Sequence, residues 1–291
     1  MITYNQELYI AEAIEGVLMQ KTAFEVELVI GEDGSKDNTR AIVIDYCHRF
    51  PGRIRLLPDE GNLGMMKNMV RTLKACRGRY VAMCEGDDYW IDEQKLQKQV
   101  DFMETHPEYS FCFHATEHRF PDAKKNFVQR EFPVDTTVNL DQIILKGGAF
   151  IPTPTLLFRG ELVDSLPDWC INARIGDYPL TIHVALHGLG WAMYDCMAVY
   201  RRQAVGAWSS GWTWWRHKHL VFGNNRMLFA INKATNGRHF WVITRTLLDS
   251  NWGLLKAMFF AILRPGYNFI KRIATCMKRP FIKTASSHTL F

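Results

Sequence analysis

Three carboxylates crowd around one glycine at Glu85-Gly86-Asp87-Asp88, directly after the apolar run Tyr80-Val81-Ala82-Met83-Cys84. Such a run, with β-branched and aromatic residues, reads as a buried strand. Carboxylates at the C-terminal end of a buried strand lie where open α/β sheets bind their ligands. Oxygen donors in this number suit Mg²⁺ or Mn²⁺, which would in turn hold phosphates. The plainer alternative is an acidic turn with Asp88 capping a following helix. A second strand end repeats the pattern, since Val26-Glu27-Leu28-Val29-Ile30 runs into Gly31-Glu32-Asp33-Gly34-Ser35-Lys36-Asp37-Asn38-Thr39. One carboxylate there can accept a hydrogen bond from a base or ribose, while the other group holds the cation that neutralises a diphosphate. Lys67 and Asn68, after the turn Gly61-Asn62-Leu63-Gly64, could add donors to the same ligand.

The elements that must position these groups alternate. A polar opening, Thr3-Tyr4-Asn5-Gln6-Glu7, precedes a helix with Leu8, Ile10, Ala11, Ile14, Val17 and Leu18 at helical spacing. Helices are predicted over 42–50, 65–76 and from 92 to 106, and strands over 26–30, 54–57, 80–84 and 109–113. This βαβ alternation predicts an α/β fold, a mostly parallel central sheet with helices on both faces. Beyond it, 121–139 reads as a loop or hairpin, 140–146 as a short helix and 151–158 as an extended segment. Gly176-Asp177-Tyr178-Pro179-Leu180 opens another helix, with Pro179 acceptable in its first turn and Asp177 equally explicable as an N-cap. Residues 191–194 and 197–200 read as two strands. Arg201-Arg202 could clamp a diphosphate or be a surface pair. His183 and His187, four apart, lack a third metal ligand in view. Trp208-Ser209-Ser210 could form a lid or begin a packing surface.

These motifs, in this order, resemble the inverting family 2 glycosyltransferases of GT-A fold, over roughly residues 1–210. Thr3-Tyr4-Asn5 with Glu7 resembles the family's first nucleotide loop, and Glu32 through Thr39 its second. Asn62-Leu63-Gly64 with Lys67-Asn68 resembles the helix entry that follows. Glu85-Gly86-Asp87 occupies the place of the DxD metal motif, with Glu for the first Asp, and Asp177 that of the catalytic base. The resemblance implies transfer of a sugar from a nucleotide-diphosphate donor to a hydroxyl acceptor. Thr3 and Tyr4 would line the base pocket with Asp33 on the base edge. Asn5, Glu7, Ser35, Lys67, Asn68 and Gly86 would complete the donor site, with Glu85 facing ribose or sugar. Asp87 would ligate Mn²⁺ or Mg²⁺, and Asp177 would deprotonate the acceptor. In the family an apolar strand precedes the first loop. Here the chain starts almost on that loop, so upstream sequence coding an apolar run of about six residues is expected before Met1.

Composition narrows the class. Of 291 residues 47% are hydrophobic and 22% charged, which is globular, and a net charge of +5 is too small to argue for nucleic acid. Seven cysteines without CxxC spacing read as free thiols in a reducing compartment, and no signal peptide is apparent, so a cytoplasmic location is expected. From residue 211 to 291 a tryptophan-rich extension is expected to be helical. Its basic residues Arg264, Lys271, Arg272, Lys278 and Arg279 alternate with aromatics such as Tyr267 and Phe269, the composition of a helix lying on a membrane interface. Leu254 to Leu263 is too short to span a bilayer. Together with the donor and saccharide acceptor that the resemblance implies, the basic aromatic tail makes the expected partners a nucleotide-sugar donor, a saccharide or lipid-linked saccharide acceptor and a membrane surface at the inner face of the cytoplasmic membrane. The expected setting, from the resemblance, is bacterial surface polysaccharide or lipopolysaccharide synthesis. A sugar nucleotidyltransferase, or a catalytically impaired nucleotide-sugar-binding protein of the same fold, are the alternatives.

Overall fold

The computed structural model describes residues 1–203 and 214–253. The expected lid at Trp208-Ser209-Ser210 and the apolar segment 254–263 lie outside the described residues. Short apolar runs separated by amphipathic ones give three parallel strands, β1 (Ile2–Thr3), β2 (Leu28–Glu32) and β3 (Ile54–Leu56), joined by helices α1 (Ile10–Leu18) and α2 (Thr39–Arg49). All five residues of β2 are buried, as expected of a strand covered on both faces. Helix α3 (Met65–Ala75) then leads into β4 (Tyr80–Ala82), and the acid loop 83–88 follows before β5 (Tyr89–Trp90).

A second, mixed sheet carries the rest. After α4 (Lys95–Thr105) come β6 (Tyr109–Arg119), β7 (Phe127–Gln129), β8 (Thr136–Val138), α5 (Leu140–Lys146) and β9 (Leu157–Arg159). The short α6 (Asp168–Ile171) and α7 (Asp177–Ala185) precede β10 (Leu189–Arg201). Strand order is β4-β9-β6-β10-β5, with β7 on β6 and β8 on β10. Strands β6 and β10 are parallel, while β4, β5 and β9 pair antiparallel. The α/β class and the parallel-rich sheet are as the alternation predicts. Two details differ. Strand β6 runs eleven residues rather than five, and 189–201 is one strand instead of two. Register shifts between Met193 and Cys196, where Tyr194 and Asp195 face solvent, break the apolar alternation that sequence reading depends on.

Helices α8 (Trp214–Ala234) and α9 (240–253) lie against the sheet domain. Met227, Leu228, Ile231 and Ile243 join the hydrophobic cluster that includes Phe111, Phe158 and Ile182. A second cluster, around Ile10, Ile30, Trp90 and Met103, packs α1, α2 and α4. None of the described cysteines is paired.

Strand β1 is the hinge of the site although it is two residues long. The Gly86 N–H donates to Ile2 O at 2.9 Å and the Asp33 N–H to Thr3 O at 3.0 Å, so β1 lies between β2 and the acid loop. At its N-terminal end a cavity of about 620 Å³ runs between Leu28 and Val29 on one side and Tyr80 to Ala82 on the other. Gly86 permits this close approach. A Cβ there would stand 2.4 Å from Gln6 Oε1 and 2.6 Å from Thr3 Oγ1. Gly86→Ala is therefore expected to push the acid loop from the first loop. Urea unfolding should show about 1–3 kcal/mol of lost stability, the usual range for overpacking.

Candidate functional site

The acid loop is built of buried like charges. Ligating atoms of Glu85, Asp87 and Asp88 all lie within 4.8 Å of one another, and they form the sole such acidic or metal-ligand cluster among the described residues. Asp87 is 8% and Asp88 1% exposed. Burial first, and Asp87 and Asp177 second, push Glu85 up to about 8. Asp87 is raised by burial, although a hydrogen bond from Gln6 opposes this. Asp88 is raised well above the carboxylate range by burial and by its two acidic neighbours. Asp88 does not cap a helix, contrary to the plainer reading, because β5 follows and α4 begins only at Lys95. Its Oδ1 instead accepts the Arg201 N–H at 2.8 Å, and its buried Oδ2 has no donor. Three crowded hard oxygen donors with an orphaned lone pair fit a divalent cation.

The two arginines that close β10 have different work. Arg201 donates to the Asp87 carbonyl at 2.7 Å, pairs with Glu12 and lies over the rings of Tyr9 and Tyr89. Arg202 sits over Tyr200, and its Nε–H donates to His118 Nδ1 at 2.8 Å. That bond makes Nδ1 the acceptor, so Nε2–H donates to Gln129 Oε1, also at 2.8 Å. Burial and the Arg202 charge hold His118 down to about 4, hence neutral. The sequence singled out the arginine pair but missed His118 and Gln129. Only the antiparallel pairing of β6 with β7, which sets Gln129 opposite Thr116 and thus two residues from His118 on the neighbouring strand, shows their role.

A cavity of about 340 Å³ joins Glu85, Asp87 and Asp177 to His118, Tyr200 and Arg202. Its walls include Met65, Met69, Met83 and Leu180, an apolar lining that raises the cost of charge inside. Asp177 is the first residue of α7, but the N-cap is Gly176, so capping does not explain the carboxylate. Its Oδ1 accepts only the adjacent Tyr178 N–H, at 2.7 Å, and burial pushes it up to about 6.

The remaining sequence candidates stand on the two strand-end loops, in the acid loop for Gly86 and on α3 for Lys67 and Asn68, and none is in the lining of this cavity. Asp33 accepts from the N–H groups of Leu63 and Gly64 at 2.8 and 3.0 Å. Asn5, with φ of 52°, accepts from Lys36 N–H through its side chain and donates its own N–H to Ser35 Oγ. Glu7 accepts from Asn38, while Thr3 donates to Gln6. Asn68 is buried and donates to Gly31 O, Lys67 is exposed, and Tyr4 is partly exposed. His183 and His187 bond to the carbonyls of Leu162 and His183, not to a shared centre.

Comparison with known proteins bears on the family and the fold. The sequence model described as glycosyl transferase family 2 matches residues 1–166. "Uncharacterized protein Rv1520" of Mycobacterium tuberculosis is 38% identical over 215 residues, 73% of this chain, which spans 60% of that protein's length. The Escherichia coli "UDP-Glc:alpha-D-GlcNAc-diphosphoundecaprenol beta-1,3-glucosyltransferase WfgD" is 37% identical over 103 residues, 35% of this chain and 39% of its own. Among solved structures, S. aureus TarS 1-349 in complex with UDP-GlcNAc superposes with a TM-score of 0.69 at 19% identity, covering 90% of this chain and 74% of that one. A mannosyltransferase from Pyrobaculum calidifontis, in complex with GDP-Man and Mn²⁺, does so at 0.55 and 14% identity, covering 96% and 79%. With a family match over more than half its length, on a fold those structures share, the chain belongs to glycosyl transferase family 2.

Proposed function

We propose that the protein is an inverting, metal-dependent glycosyltransferase that moves a sugar from a nucleotide-diphosphate donor to a hydroxyl of a lipid-linked saccharide. The observation that carries this reading is the shared cavity, where a buried carboxylate with a raised pKa faces an acidic cluster and a single arginine. Asp87, with Asp88 behind it, would hold Mn²⁺ or Mg²⁺, which supplies charge neutralisation for the departing diphosphate. Arg202 is the one Lys or Arg in the described cavity lining and, steadied by His118, presents its remaining N–H groups to phosphate oxygens. Asp177 takes the acceptor proton as the hydroxyl attacks the anomeric carbon in line, opposite the leaving diphosphate. Glu85 faces the donor sugar or ribose, and Thr3, Tyr4, Asn5, Glu7, Asp33, Ser35, Lys67, Asn68 and Gly86 shape the nucleotide side. A UDP donor is favoured because UDP-GlcNAc occupies TarS. A lipid-linked acceptor at the inner face of the cytoplasmic membrane is favoured by the diphosphoundecaprenol in the name of WfgD. Bacterial surface polysaccharide synthesis is the setting that suits both.

Incubating the protein with UDP-, GDP- and dTDP-sugars, Mn²⁺ and an acceptor panel tests the assignment. Absence of turnover with every donor, while nucleotide binding persists, would point to the non-catalytic alternative. Asp177→Asn should lower kcat by at least about a hundredfold, the scale of general-base catalysis, with donor affinity nearly unchanged. A base must be deprotonated, and burial raises the Asp177 pKa to about 6. Wild-type kcat/KM should therefore fall as pH drops through that value, and the residual activity of the Asn variant should lack this limb. Arg202→Gln should weaken nucleoside diphosphate binding about 10–100-fold, as loss of a charge-assisted contact does, but leave nucleoside binding alone. Isothermal titration with UDP and uridine separates the two.

A further inference from the structure

Charge is divided unevenly along the chain. Of 30 acidic residues 29 lie at or before Asp195, whereas beyond it Lys and Arg number 15 against Asp249 alone. The first part is thus net −9 and the remainder net +14. The overall +5 conceals this division.

Beyond Arg201 and Arg202, which belong to the site, the described part of the basic region is a helical hairpin. Helix α8 ends where Asn236 and Gly237 take φ of 51° and 72°, and the Gly237 N–H returns to Asn232 O at 2.8 Å. The chain reverses, and α9 packs beside α8 through Asn225 with Ser250 and Asn251. Both helices bury one side in the same cluster, at Met227, Leu228 and Ile231 on α8 and Ile243 on α9. Their opposite faces consequently look outward together. On α8 that face repeats Phe222, Arg226, Phe229 and Lys233, all exposed, with Phe229 62% so. On α9 it repeats Trp241, Arg245, Leu248 and Trp252, with exposures of 80%, 67% and 61% for Trp241, Leu248 and Trp252. Each stripe has helical spacing and sets basic side chains among aromatic or aliphatic ones. Asp249, the one acidic residue within 214–253, lies 3.9 Å from Arg245 and both are largely exposed.

We propose that this hairpin face docks the protein on an anionic lipid surface, with the aromatic and leucine side chains entering the headgroup boundary and the arginines and lysine meeting lipid phosphates. Aromatics exposed to this degree suit an interface that is apolar below and wet above. Within 214–253 six Lys and Arg stand against Asp249 alone, a net +5 that distinguishes this partner from a second copy of the same chain, whose matching face would repel it. No described helix is long and apolar enough to cross a membrane, which leaves docking along the surface. The proposal goes beyond the catalytic reading and is read without turnover, so either can fail alone.

The test is sedimentation of the full chain with phosphatidylcholine vesicles and with mixed phosphatidylcholine–phosphatidylglycerol vesicles. Binding should require phosphatidylglycerol, fall as salt rises, and shift tryptophan emission to the blue. R226Q with R245Q should weaken binding about thirtyfold, since each cation near such a surface contributes about a decade or less. W241S, L248S and W252S together should weaken it at least about tenfold, with UDP affinity and the unfolding midpoint kept as evidence of an intact fold. Ile44→Ser, on a partly exposed apolar residue of α2, should change nothing. Equal binding to neutral vesicles, or undiminished binding by the folded variants, would overturn the proposal. So would a lipid-free dimer that the triple substitution dissociates, because the face would then belong to a second copy.

Discussion

Everything near the cavity answers to one electrostatic constraint, the confinement of Glu85, Asp87 and Asp88 within 4.8 Å in a largely buried loop. Two like charges about 4 Å apart repel by about 4 kcal/mol even at an effective dielectric of 20, and three compound the problem. The protein relieves it only in part. Arg201 bonds the Asp87 carbonyl and the Asp88 carboxylate through its side chain and its N–H, and Gln6 supports Asp87. Raised proton affinities at all three carboxyls and an unpartnered Asp88 Oδ2 are what remains. A loop that keeps unrelieved negative charge is held by its scaffold, not by its own contacts.

That scaffold explains features otherwise unrelated. The loop must sit against β1, so a residue without Cβ stands at Gly86. It must be tied from the far side, so β10 runs thirteen residues to deliver Arg201 to it. Arg201 ends β10 on the acid loop, and Arg202, the residue just past the strand, turns to His118 and the cavity. Neutral His118 is part of the same arrangement. A protonated imidazole could not accept from Arg202, and burial beside that guanidinium keeps the proton off.

Much of this was legible in the sequence because it is local. The strand-end placement of Asp33 and of Glu85 through Asp88 follows from short apolar runs, and α3 and α5 fall almost where spacing puts them. What stayed hidden depends on distant partners. Arg201 and Arg202 are equivalent as letters, and only the partners of β10 separate them. Gln129 lies in a stretch without periodicity, and joins the site because β7 pairs with β6 beside His118. The two-residue β1 shows the same limit. Its importance comes from bonds to Gly86 and Asp33 on either side, which no propensity encodes.

The charge division gives the site and the hairpin a common logic. A sheet domain of net −7 over residues 1–203 repels both a nucleotide diphosphate and an anionic bilayer over distances near the Debye length, about 8–10 Å in physiological salt. For the donor, local positive charge must outweigh the global field. A cation at Asp87 and the Arg202 guanidinium would do so inside a low-dielectric cavity, where each counts for more than in water. For a surface, no single pocket can serve, and the counterweight has to be spread over an area. The hairpin is such an area, and it is fastened to the same hydrophobic cluster that seats Leu180 and Ile182 of α7, the helix that begins with Asp177. A repulsive catalytic body and an attractive flank set an orientation as well as an affinity. With the hairpin face down, α7 and the cavity keep a fixed height above whatever surface the hairpin meets. An acceptor anchored in that surface would then reach Asp177 at one depth, which is an entropic advantage that a freely diffusing enzyme lacks.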